Sequence, residues 1–408
     1  MTRAFFLSIA LPLSCAAAAM TSTLWGVAPD YAGRPLQLTT RYDGLSGERE
    51  TLATVTPDSA GRFRMEFDLD QTRMLEIGLG YYSGRVYMEP GKTLQVEFPP
   101  KRELTEAQRF NPYFTPKALL LSVVRPEADD MNVRVEAFDD LCDSIWSDLL
   151  FRPVISPELI ENGIGLLESR FPREEEDFFY RYKRYNYAML VNLYQKTAPY
   201  LAIETYFAHD SVDYANPAYW EAFDLVFEQF DQAEAMQGNP ALYELIQINR
   251  VLRRKLPVEW LDNVTVPGIT PIARSVGRQL TAGAEGSYAG PGWINLQGDS
   301  VPAADPYGRP TYLVFANRRV IECASDLACV ARVARERERD CRFVVVFANE
   351  DGIPETPGTD NVEYLDSRQN PSILTDFGIR NIPAYFLLDS DGRIKRSPAP
   401  DPEHYLSE

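Results

Sequence analysis

The chain has 408 residues, a formal net charge of −18, and ordinary apolar (45%) and charged (25%) fractions, which exclude wholesale disorder and allow two or three domains. The negative charge repels nucleic-acid phosphates and anionic headgroups, so nucleic acid is excluded as an expected partner. Only two histidines occur, His209 and His404, which excludes Ser-His-Asp catalysis and multi-histidine zinc sites; no metal or cofactor is expected.

The first 19 residues read as a secretion leader. Arg3 supplies the positive start, Ala4–Leu13 the apolar stretch, and Ser14-Cys15-Ala-Ala-Ala-Ala19 the small residues before a cut. The apolar run is too short to span a bilayer. Two processing routes fit. One is cleavage after Ala19; the other is lipidation of Cys15, since Leu11-Pro-Leu-Ser-Cys15 resembles a degenerate lipobox. Either way the chain is exported, to the periplasm or to the outer membrane, and a lipid on Cys15 is its only expected membrane link.

Residues 20–100 alternate with period two, as in Phe63/Met65/Phe67/Leu69 and Leu75/Ile77/Leu79. Turn signals separate these runs, among them Asp43-Gly44 and Glu89-Pro-Gly-Lys92. The pattern predicts an antiparallel β-sandwich. Residues 101–262 change to a period near 3.6 and predict an all-α segment of about five or six helices. Phe138, Leu141, Ile145 and Leu149 form one stripe; Phe178, Tyr182, Tyr185, Met189 and Leu193 form another. Ser156-Pro157, Asn216-Pro217 and Asn239-Pro240 read as N-caps followed by proline at the first helical position. The aromatic run Phe178–Tyr187 reads as core packing rather than a sugar platform.

Residues 263–408 start with a Gly- and Pro-rich stretch and then carry a recognisable frame. Trp293–Val301 reads as a hairpin, Tyr312–Ala316 as an apolar strand, Val320 to about Arg339 as a helix, and Gly378–Ile394 as a proline loop followed by a hairpin. This resembles the thioredoxin-like superfamily, in particular envelope thiol–disulfide oxidoreductases with a strand, Cys-x-x-Cys, helix, cis-proline loop and terminal hairpin. The alternating segment before it looks like the small sandwich that precedes such domains in some Gram-negative envelope proteins. The expected fold class is therefore α+β multidomain: sandwich, helical segment and a C-terminal α/β thioredoxin-like domain.

In that frame the first cysteine falls on Val320, and only the second, Cys323, is kept. Exchange needs an attacking thiolate and a resolving thiol, and valine supplies neither. On the predicted helix Cys323, Leu327, Val330 and Ala334 share one stripe, so Cys323 is expected in the core. Cys329 points elsewhere, and six residues of helix rise about 9 Å, too far for a disulfide. A peroxidatic reading of Cys323 has its trailing acid, Asp326, but Val320 and Asn317 replace the threonine and proline that such enzymes carry. The resemblance also places Arg318 and Arg319 opposite the Ile382-Pro383 loop, where active relatives pair their backbone with a substrate chain. No catalytic residue is assigned. The expected function is binding or assembly in the envelope, with an envelope protein or peptide as partner. The rival is a monothiol-type oxidoreductase using Cys323.

Overall fold

The computed structural model describes residues 19–405 except 106–107, 109–114, 173–176, 195–199, 229, 231, 288, 291, 349–360, 371 and 380. Cys15 and the rest of the leader up to residue 18 lie outside the described residues. The chain divides into two compact units. One runs to Arg253 and takes in Thr265–Ile272; the other comprises Arg254–Val264 and everything from Ala273.

The first unit opens with β1 (Met20–Val27), β2 (Leu36–Arg41), β3 (Arg49–Val55), β4 (Arg62–Leu69), β5 (Arg73–Leu79), β6 (Tyr82–Met88), β7 (Thr93–Glu97), β8 (Lys117–Leu120) and β9 (Ser122–Val123). They form two sheets, ordered β4-β1-β7-β9 and β3-β2-β5-β6-β8. β4 buries every second side chain, Phe63, Met65, Phe67 and Leu69. These meet Leu36, Leu38, Leu75 and Ile77 of the other sheet in one core, each buried side chain stabilising the fold by about 1.5–3 kcal/mol.

Two expectations need correction. The sheets are not purely antiparallel, because β1 pairs with β7 and β6 with β8 in parallel. Nor do the strands stop at residue 100: β8 and β9 each complete a sheet edge from beyond it. A parallel neighbour cannot be reached by a tight turn, so the pairing draws on residues far along the chain.

The helices that follow are α1 (Met131–Leu150), α2 (Pro157–Arg170), α3 (Phe178–Asn192), α4 (Tyr200–Tyr206), α5 (Pro217–Phe227), α6 (Pro240–Leu252) and α7 (Thr270–Thr281). Ser156, Asn216 and Asn239 cap α2, α5 and α6 through their side chains, each followed by proline. Such a cap is worth about 1 kcal/mol. α3 departs from a one-stripe helix: Phe178, Phe179, Tyr182, Lys183, Tyr185 and Tyr187 are all buried, because α1, α2, α4 and α5 pack around it. The aromatic run is core. Its polar ends are satisfied, with Lys183 donating to Glu168 at 3.0 Å and Tyr187 to the same carboxylate at 2.7 Å.

Tyr182 donates to both oxygens of Asp139, at 2.9 and 3.0 Å. Burial nevertheless pushes the Asp139 carboxyl up from 3.8 to about 7, with neighbouring Asp143 and Glu221 adding to the rise and the Tyr182 bond opposing it. The folded chain then holds this proton up to about pH 7, whereas the unfolded chain releases it near the ordinary carboxyl value, about 4. The associated stability is fully present below about pH 4 and is lost as pH rises through 7. Asp139→Asn is expected to raise the urea midpoint at pH 8 and to leave it nearly unchanged at pH 4. An equal shift at both values would contradict the assignment.

The second unit contains β10 (Gly292–Ile294), β11 (Ser300–Pro302), β12 (Thr311–Ala316), α8 (Ile321–Glu336), β13 (Arg342–Phe347), β14 (Val362–Asp366), α9 (Ile373–Asp376), β15 (Ala384–Leu388), β16 (Ile394–Arg396) and α10 (Pro402–Tyr405). Its main sheet has the order β14-β13-β12-β15-β16. β12, β13 and β14 run parallel; β15 and β16 are antiparallel additions. β12 and β13 are buried at every position, which requires cover on both faces. Leu313 and Phe315 belong to one core, and Tyr312, Val314 and Ala316 to the other. The expected hairpin at Trp293–Val301 is present as β10 and β11.

Candidate functional site

The site is built where β12 ends and α8 begins. Asn317 follows the strand, nearly fully buried, and organises the turn. Its Nδ2 donates to the Ala348 carbonyl at 3.0 Å, its Oδ1 accepts from the Arg319 N–H at 3.0 Å, and its carbonyl accepts from the Val320 N–H at 2.9 Å. In the sequence Asn317 marks only a missing proline, and this role is not apparent from that position. Asparagine's habit of bonding the backbone nearby was the available signal.

Val320 is the N-cap of α8, in extended conformation (φ −92°, ψ 122°), and contributes no side-chain cap. Its half-buried side chain packs against the core under the helix. In the frame that the sequence resembles, an attacking thiol would stand here, with backbone N–H groups and the helix dipole to stabilise its anion. A branched apolar side chain occupies the position instead.

Cys323, one turn into α8, is 0% exposed. It shares a core with Val314, Val330, Ala334 and Phe347, as the helical phase requires. Cys142 and Cys341 are also buried, Cys329 is half-buried, and none of the four is in a disulfide. Burial raises the Cys341 thiol, which accepts from Tyr405 Oη at 3.4 Å. Burial likewise pushes Cys142 up to about 12. Neither is suited to form a thiolate near neutral pH.

Asp326, the trailing acid of the peroxidatic reading, is engaged elsewhere: Tyr385 of β15 donates to it at 2.5 Å. Burial and this carboxylate raise the Tyr385 phenol, so the pair behaves as a hydrogen bond that ties α8 to the sheet. The sequence reading missed this tie, since residues 59 positions apart meet only through the fold.

Arg318 and Arg319 are both exposed. The Arg318 guanidinium lies 5.6 Å over the Phe347 ring, which anchors it to the end of β13. Arg319 makes no side-chain hydrogen bond or ion pair among the described residues. The Ile382-Pro383 peptide is cis and leads directly into β15, and both residues are half-buried. Since β15 pairs with β12 and Arg318 follows β12, the proline loop and the two arginines belong to neighbouring strand ends. Among the described residues no group of three or more His, Cys, Asp or Glu is placed to hold a metal ion.

Part of the chain is similar to solved structures of thiol–disulfide oxidoreductases. MTB dsbF, in mixed oxidised and reduced forms, shares 20% identity over 28% of this chain and 90% of its own, with a TM-score of 0.25. The exposed lipoprotein thioredoxin Etrx1 of Streptococcus pneumoniae shares 18% over 28% of this chain and 94% of its own, at 0.24. A secreted Mycobacterium tuberculosis disulfide oxidoreductase, homologous to E. coli DsbE, shares 16% over 28% of this chain and 91% of its own, at 0.24. No protein-family model and no curated protein matches the chain.

Proposed function

We propose that the chain is an exported cell-envelope protein whose second unit keeps a thioredoxin-like fold for binding and not for thiol exchange. One observation carries this reading: the helix start that would hold the attacking thiol presents Val320, while Cys323 is 0% exposed. The strand, helix, cis-proline loop and terminal hairpin that the sequence resemblance implies occur in that order in this unit, and they support the fold assignment. The docking face is formed by Arg318, Arg319 and the Ile382-Pro383 loop. Its ligand is an acidic segment of an envelope protein or peptide, and Arg319, whose side chain has no hydrogen bond or ion pair among the described residues, supports that choice of charge.

The leader supports export, with the periplasm or outer membrane as destination and a lipid on Cys15 as the only tie to a bilayer. No helix among the described residues is long and apolar enough to cross a membrane. The monothiol alternative requires Cys323 to reach a substrate sulfur, which its burial opposes.

Insulin reduction by dithiothreitol is the direct test. The protein is expected to leave the rate at background, with Cys323→Ala indistinguishable from the parent. Catalysed turnover that Cys323→Ala abolishes would overturn the proposal. For the binding half, Arg318→Glu combined with Arg319→Glu is expected to weaken capture of a hexaglutamate probe about tenfold at low salt, with the difference shrinking as salt rises. Equal capture by parent and variant would remove the arginines from the docking face.

A further inference from the structure

The first unit holds a cleft of ≈ 500 Å³, separate from the site above, between strands β2, β5 and β6 and helix α5. That volume is in the range of pockets that enclose small organic ligands. Its walls are fixed. Asp43 is buried and accepts from Leu45 N, Ser46 N and Ser46 Oγ at 2.7, 2.6 and 2.5 Å, which locks the turn after β2. In that turn Gly44 lies so close to Trp220 that an added Cβ would stand 2.4 Å from the Trp220 Cβ, so glycine is required there.

The two walls carry opposite charge. On the sheet side Arg41 and Arg85 line the cleft. With Arg49 they share one buried carboxylate, Glu76, at 3.4, 3.5 and 2.9 Å. Three guanidinium groups on one carboxylate leave this wall positive; the Arg85 Nε faces Glu76 at 3.5 Å without forming a hydrogen bond. On the helix side stand Glu221, Asp224 and Glu228. Asp224 and Glu228 are tied to Arg253 at 2.5 and 3.5 Å. Glu221 makes no hydrogen bond or ion pair among the described residues. It is exposed by surface area, yet desolvation raises its carboxyl while Arg85 and Arg41 pull the other way. Its carboxylate thus lines the cleft opposite the two arginines.

We propose that this cleft binds a dipolar, peptide-type ligand: a free amino group on Glu221, a free carboxylate on Arg41 and Arg85, and an apolar body over Met74, Met189 and Trp146. A carboxylate without a hydrogen bond among the described residues, opposite a guanidinium wall, matches a ligand with a charge of each sign, since charge-assisted hydrogen bonds then form at both ends. A sugar is disfavoured by these two rings, because Tyr214 and Trp220 meet at 51° and Trp220 is only 8% exposed, so together they form no flat platform.

The test is calorimetric titration of the full chain with alanyl-leucine bearing both free termini, with its N-acetyl form and with its C-terminal amide. Each capped form is expected to bind about tenfold more weakly than the free dipeptide. In Glu221→Gln the acetylation penalty should vanish while the amidation penalty stays; in Arg85→Met the reverse should hold. These crossed penalties distinguish recognition from misfolding, which would weaken all three probes alike. Equal binding of free and capped dipeptides, no binding of the free dipeptide at millimolar concentration, or binding of maltotriose in its place would overturn the proposal.

Discussion

Val320→Cys is expected to turn the protein into a thiol–disulfide oxidoreductase. The substitution puts a thiol at the N-cap of α8, whose backbone is already anchored by the Val320 N–H bond to Asn317. There the N–H groups and dipole of a 16-residue helix lower the thiol's pKa and raise its thiolate fraction. Cys323 follows three positions later, where helical Cα atoms stand about 5 Å apart, within the span a disulfide accepts. Its burial is no obstacle in that role, because a resolving thiol needs to meet only its neighbour. Insulin reduction should rise from background by an order of magnitude or more. The oxidised variant should show a 320–323 disulfide by peptide mass mapping. In Val320→Cys combined with Cys323→Ala turnover should be lost, and mixed disulfides should accumulate. Failure of the single variant to form the disulfide would mean that α8 does not begin as a redox helix does.

Phe138→Ala is expected to cost the most stability of any single truncation in the helical segment. Phe138 is 0% exposed, and its ring meets Phe171, Phe179, Tyr182 and Tyr187 at centroid distances of 5.6 to 6.3 Å. It thus joins α1 to α3 and to the segment after α2. Removing the ring forfeits its transfer energy and leaves a cavity whose walls belong to several helices, at a cost of about 3–5 kcal/mol. The neighbouring Phe138→Leu should recover more than half of that loss by filling part of the space. Urea denaturation followed by far-UV circular dichroism checks both. A loss below about 1 kcal/mol for the alanine variant would show that the aromatic cluster does not hold the segment together.

Much of this fold is legible from residue patterns, for physical reasons that also explain the rest. The alternation in β4 survives because one face of that strand packs and the other is wet. Cys323 was placed in the core by helical phase alone, since i, i+7 and i+11 fall on one side of α8 and Cys323, Val330 and Ala334 are all buried. The stripe on α1 matches only in part: Phe138 and Leu149 are buried as expected, but Val135 and Cys142 are buried with them while Leu141 and Ile145 are only half-buried. Neighbouring helices chose the face, and spacing alone does not reveal them. β8 and β9 were invisible because strands of four and two residues carry too short a pattern, and each is specified by a distant partner. Around the site, Val320 and the proline loop were read from motif positions. The roles of Asn317 and of the Asp326–Tyr385 bond depend on which strand ends lie together. The place of Glu221 was equally hidden, because Arg41, Arg85 and Glu221 lie far apart along the chain and line one cleft only when α5 packs over the sheet.

Thiol labelling of the native chain, read at each cysteine by peptide mass spectrometry, tests most directly whether a redox site exists. Half-buried Cys329, with its sulfur 3.4 Å from an Arg332 nitrogen, is expected to react first. Cys323 should react only as slowly as buried Cys341, and far below its rate in denaturant. Labelling of Cys323 in the native protein at or above the rate of Cys329 would contradict the proposal that this unit binds without thiol exchange.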